Sequence, residues 1–176
     1  MNSIVSAMQT LAANVVPPVL TAASVLAGMV LIMKALLAMT RAADNGGRGG
    51  PNDSGWGGIG ASLLIGALLL QFSATMNDIV SLLFSAPPQN YRNALAYMPI
   101  SGGGSNYWKT VLDVCLMWVV VLGWVAAFRG LLKWNAAANG AQSSSGGDLF
   151  WQGLWHIVGG AMAINIGGLA GSLLGN

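Results

Sequence analysis

Residues 150–174 read FWQGLWHIVGGAMAINIGGLAGSLL, 25 positions without a formal charge. A helix needs roughly 18–20 consecutive apolar or small residues to cross the ~30 Å hydrocarbon layer of a bilayer, and such a run is uncommon in a water-soluble core. Three more stretches of the same character lie at about 19–40, 59–85 and 108–132. The expected fold is therefore all-α: a polytopic membrane protein with four transmembrane helices in two helical hairpins, residues 17–176 forming one membrane domain.

Composition points the same way. Charged residues make up 7% of the 176 and hydrophobic ones 55%, against ~25% charged in an average soluble domain. Seven Lys or Arg and five Asp or Glu give a formal charge of +2, too sparse for a groove that follows phosphates, so no direct sequence-specific nucleic-acid binding is expected. Cys115 is the single cysteine, which excludes an intramolecular disulfide and leaves no Cys/His metal spacing.

Before the first span, residues 1–16 place Ile4, Val5, Met8, Leu11 and Val15 at helical spacing with no charge opposite them. This predicts a short amphipathic helix at the interface, ended by Pro17 and Pro18. No Lys or Arg precedes Lys34, so a cleaved secretory signal is not expected. Residues 42–58 and 135–148, the first and third loops in chain order, are rich in Gly, Asn and Ser, and the second loop covers 89–106. Trp108, Trp134, Trp151 and Trp155 fall near span ends, where indole rings anchor at the headgroups.

Cations orient the chain. Lys34, Arg41, Arg48, Arg129 and Lys133 border the first and third loops, whereas Arg92 and Lys109 border the second. Positive-inside bias then puts the first and third loops in the cytoplasm and both termini outside, in the periplasm of a Gram-negative host.

Several residues stand out against the apolar background. Gly159, Ala163, Gly167, Gly171 and Gly175 recur every four residues and bare one face of the fourth span. In lipid such small-xxx-small faces let helix backbones approach closely, either within the chain or between subunits. Asp78 and Asp113 lie at comparable depth, and an intramembrane carboxylate is either part of an ion relay or a structural group, with Lys109 one turn before Asp113 as its local partner. Lys34 is expected to snorkel to the headgroups. His156 and Asn165, with Gln152, are expected to hydrogen-bond between helices, because no second histidine accompanies His156 to complete a metal site. No nucleophile, base and orienting acid can be grouped, so neither catalysis nor a metal is expected.

The stretches FRGLLKW, Phe128 to Trp134, and FWQGLWHIVGGAMAINI, Phe150 to Ile166, resemble the IcmC/DotE and TraQ group of membrane proteins from type IVB secretion and IncI-type conjugative transfer systems. Gly153, His156, Gly159, Gly160 and Asn165 carry the likeness most specifically. The resemblance implies a small, non-enzymatic component of the bacterial inner membrane, partnered by membrane lipid and other secretion-system subunits and assembling as a homo-oligomer. A looser likeness to VirB-type conjugative pilins implies a second class, a structural subunit polymerised into an extracellular pilus with bound phospholipid. A third class, a small ion or solute transporter, would rest on Asp78 and Asp113.

Overall fold

The computed structural model describes residues 2–44, 56–84, 107–140 and 146–166. Among them every regular element is helical: α1 (Asn2–Thr10), a π-helical turn over Leu11–Val15, α2 (Val16–Asp44), α3 (Trp56–Leu70), α4 (Phe72–Phe84), α5 (Tyr107–Ala138) and α6 (Gly146–Ile164). The all-α expectation is met.

Pro17 and Pro18 do not end a helix as expected from the sequence. They occupy the first turn of α2, which follows the π-helical turn without a gap, so the helical run passes through both prolines although each lacks an N–H to donate. The adjustment falls just upstream, where the Val16 N–H donates to the carbonyl of Leu11 in the wider π spacing. Thr21 Oγ1 donates back to the Pro17 carbonyl at 2.9 Å.

The four-span count is not reproduced. Among the described residues two helices, α2 and the Val114–Ala138 part of α5, are long and apolar enough to cross a membrane, and α3 and α4 add a third span if they are counted together. The sequence reads 59–85 as one tilted helix, but a turn at Gln71 breaks it and the two pieces are bent. With 15 and 13 residues at 1.5 Å per residue, each piece is about 20 Å long and too short to cross alone. The fourth stretch is helical to Ile164 with a turn at Asn165, and residues 167–174 lie outside the described residues. In α2 only 17% of the apolar window is buried, and Leu26, Met29, Val30 and Met33 are exposed. That surface would meet lipid at no cost and water at considerable cost.

The chain divides into two compact units. Unit 1 comprises residues 1–21, 73–127 and 158–176, and unit 2 residues 22–72 and 128–157. Within unit 1, Met76, Val80, Val120, Trp124 and Ala161 are buried, and α5 meets α6 at Gly123 and Gly160. A Cβ on Gly160 would lie 2.6 Å from the Gly123 carbonyl oxygen. Within unit 2, Ala35, Ile59, Ile65, Leu69 and Leu131 are buried, and Phe72 and Phe128 make an edge-to-face contact at 5.9 Å. There α2 and α3 touch at their backbones, a Cβ on Gly28 falling 2.7 Å from the Gly66 carbonyl oxygen.

The end of α5 has a clear cause. Asn139 Nδ2 donates to the Asn135 carbonyl at 2.7 Å, and Gly140 turns the chain with φ of 64°, the left-handed geometry that glycine takes without a Cβ penalty. Asn135 therefore belongs to the helix, not to the loop in which its composition places it.

Candidate functional site

Unit 2 holds residues 128–134 and 150–157, the first stretch singled out from the sequence and the first part of the second, while 158–166 belong to unit 1. Gly130 of α5 faces Gly153 and Ile157 of α6, and a Cβ on Gly130 would lie 2.7 Å from the Gly153 carbonyl oxygen and 2.6 Å from Ile157 Cγ1. One turn onward the indole of Trp134 lies against Gly153, where a methyl group would collide with it. Trp134 Nε1 donates to the Phe150 carbonyl at 3.0 Å, while the Trp134 and Phe150 rings stack at 5.5 Å. Lys133 Nζ donates to Gln152 Oε1 at 3.0 Å. FRGLLKW and FWQGLWHI thus form one packed hairpin whose contacts are set by missing side chains at 130 and 153.

Beside this hairpin lies a polar cluster that sequence reasoning missed. Ser62 Oγ of α3 donates to Asn135 Oδ1 at 2.8 Å, and Asn139 Nδ2 donates to Ser62 Oγ at 2.8 Å and to Asn135 Oδ1 at 3.1 Å. A cavity of about 270 Å³ adjoins these three residues, its wall completed by Leu31, Lys34, Ala35 and Ala38 of α2 and by Ile59 of α3. Lys34 is exposed and has no hydrogen-bond or ion-pair partner among the described residues. Asn135 and Asn139 are four residues apart, on one helix face, and that spacing opposite a serine was the available signal.

The residues singled out from sequence fall in different places. Gly159 is exposed, with nothing within 4 Å of where its Cβ would be, whereas its neighbour Gly160 is packed. Ala163 touches α5, its Cβ lying 2.9 Å from a Cβ built on Gly123. Gly167, Gly171 and Gly175 lie outside the described residues, as does Arg48. Asp78 is exposed on α4, and its carbonyl accepts from Ser81 Oγ at 2.9 Å. Asp113 is in α5, its side chain outside the described set. His156 Nδ1 donates to the Gln152 carbonyl at 2.6 Å, so this ring nitrogen is used within its own helix, not between helices. Asn165 is buried just past α6, while Arg41 and Arg129 are exposed.

Compared with known protein families, curated proteins and solved structures, the chain matches none.

Proposed function

We propose that this chain is a non-enzymatic inner-membrane component of a conjugative, type IVB-like transfer apparatus, working through helix–helix assembly. The observation that supports this reading is the packing of FRGLLKW against FWQGLWHI, the first part of the second stretch, through Gly130 and Gly153. Its outward side presents Trp151 and Trp155, rings suited to headgroups or to a neighbouring subunit. The membrane topology proposed has four crossings, the broken α3–α4 pair counting as one, with the loops at 45–55 and 141–145 cytoplasmic and both termini periplasmic.

The test is genetic and biochemical. Removing the chain from a donor cell of its native system should abolish transfer, and the wild-type chain supplied in trans should restore it. Normal transfer without the chain would end this reading. Fractionation separates the second class: recovery in sheared surface material would identify a pilus subunit, a possibility kept because exposed Gly159 leaves part of α6 for a neighbouring copy. Partners on either reading are lipid, further copies of this chain and other membrane subunits of the apparatus.

A further inference from the structure

The cavity beside Lys34 has the chemistry of an oxyanion site. Lys34 is the one residue lining it that carries a formal charge, and no carboxylate or thiol residue lines it, so a metal cation would meet repulsion and no anionic ligand. Hydrogen-bonding capacity within the cluster is unevenly spent. Asn139 Nδ2 and the Ser62 hydroxyl already donate inside the network, whereas Asn135 accepts through Oδ1 and its carbonyl and its Nδ2 donates to nothing among the described residues. An ammonium and a primary amide thus remain as donors on one cavity wall system, matched to a phosphate oxygen. Ala35 and Ala38, on the same helix as Lys34, add only short side chains to the wall, and about 270 Å³ is many times the ~10–15 Å³ that one water needs.

Position decides which phosphate. Within unit 2, Trp134 immediately precedes Asn135, Trp56 opens α3 six residues before Ser62, and Trp56 and Trp151, the latter near the start of α6, are each 58% exposed. Exposed indoles at helix ends mark headgroup depth. Lys34 lies ten residues before the end of α2, about 15 Å from it, beside the exposed apolar residues Val30, Met33 and Leu37. A ligand reaching Lys34 from this side brings an acyl tail past an apolar surface.

The geometry points to a binding site for one anionic phospholipid headgroup, its phosphate held by Lys34 and Asn135 in the cavity bounded by Ser62 and Asn139. This rests on the membrane placement of the chain and not on a role in transfer, so the two fail separately.

The full chain is purified in mild detergent, exchanged into micelles doped with phosphatidylglycerol or phosphatidylcholine, and bound lipid is counted by native mass spectrometry. Wild-type protein should retain one phosphatidylglycerol in preference to phosphatidylcholine. Lys34→Gln should weaken retention about tenfold or more, the worth of one charge-assisted hydrogen bond. Ala38→Leu, which fills the cavity without touching a charge, should do likewise, while Arg41→Gln should retain lipid as wild type does. Equal retention by Lys34→Gln, no preference between the lipids, or an equal loss in Arg41→Gln would overturn the proposal. Displacement of the lipid by millimolar inorganic phosphate would also overturn it, showing a free-anion site. Monodisperse elution and an unchanged melting temperature establish that exposed Lys34→Gln is folded.

Discussion

Gly130 and Gly153 meet backbone to backbone: a Cβ on Gly153 would lie 2.9 Å from the Gly130 carbonyl oxygen, and one on Gly130 would lie 2.7 Å from the Gly153 carbonyl oxygen. The obstacle on each side is a helix backbone, which cannot swing aside as a side-chain tip can. Gly130→Leu should therefore force α5 and α6 apart and cost about 1–3 kcal/mol or more, the usual range for overpacking a tight contact. The melting temperature of the purified chain in detergent should fall, and Gly130→Ala should fall less. An unchanged Gly130→Leu protein would show that this contact does not form.

Gly159, one residue before packed Gly160, has open space around it. Gly159→Leu should leave thermal stability within about 0.5 kcal/mol of wild type, as for other surface changes. Its effect should appear in assembly, because a helix face left bare in lipid is available to a second copy. Crosslinking in membranes should show fewer oligomers for Gly159→Leu at unchanged chain abundance. A strong loss of monomer stability would instead place Gly159 in an intrachain contact.

The apolar runs made the helices legible, because a chain with 7% charged residues has few ways to satisfy its backbone other than by helix. The packed face of the last helix was not. Consecutive residues on a helix point about 100° apart, so Gly159 and Gly160 lie on different faces. Of the four-residue row Gly159 faces open space and Ala163 meets Gly123, while the close glycine-to-glycine contacts with α5 are at Gly153 and Gly160, seven apart, opposite Gly130 and Gly123, also seven apart. Only the partner helix decides which row turns inward. The polar cluster was hidden for a different reason: Asn135 and Asn139 sit in a composition that reads as loop, and the helix extends to Ala138 because Asn139 and Gly140 close it. The break at Gln71 has no turn-forming Gly or Pro beside it to announce it.

The cluster supports a graded stability series. Ser62→Ala removes one donor and one acceptor, yet Asn135 Oδ1 and Asn139 Nδ2 keep each other, so the loss should be about 1 kcal/mol. Asn139→Ala removes three of the cluster's bonds and the closure of α5, and should cost more, about 1–3 kcal/mol. Because the two share a bond, the double variant should lose less than the sum of the singles. Additive losses in thermal unfolding would mean the residues act independently.

Trp134 offers a way to separate a hydrogen bond from a ring contact. Its Nε1 donates to the Phe150 carbonyl at 3.0 Å while its ring stacks on Phe150 with planes 6° apart. Trp134→Phe keeps an aromatic face but leaves that carbonyl without this donor, and should cost about 1 kcal/mol. Trp134→Ala loses the stacking and opens space over Gly153, a loss of about 3–5 kcal/mol if the site does not collapse. Equal melting temperatures for the two variants would contradict the contact.

The connection of the two hairpins at one end makes a topological prediction. Ser62 lies shortly after the first loop and Asn135 shortly before the third, and the 2.8 Å bond between them can exist only if both loops leave the membrane on the same side. Asp44 and Asp148, exposed at the adjoining helix ends, are suitable reporters. Exposed Cys115 must first be replaced by serine so that it does not label in their place. Single cysteines at Asp44 and Asp148 should then react with a membrane-impermeant maleimide from one side, and a cysteine at Tyr91 from the other. On the topology proposed above the shared side is the cytoplasm, so intact cells should protect Asp44→Cys and Asp148→Cys while inverted vesicles expose both. Labelling of those two positions from opposite sides would be incompatible with the Ser62–Asn135 bond, and with it the hairpin arrangement would fail.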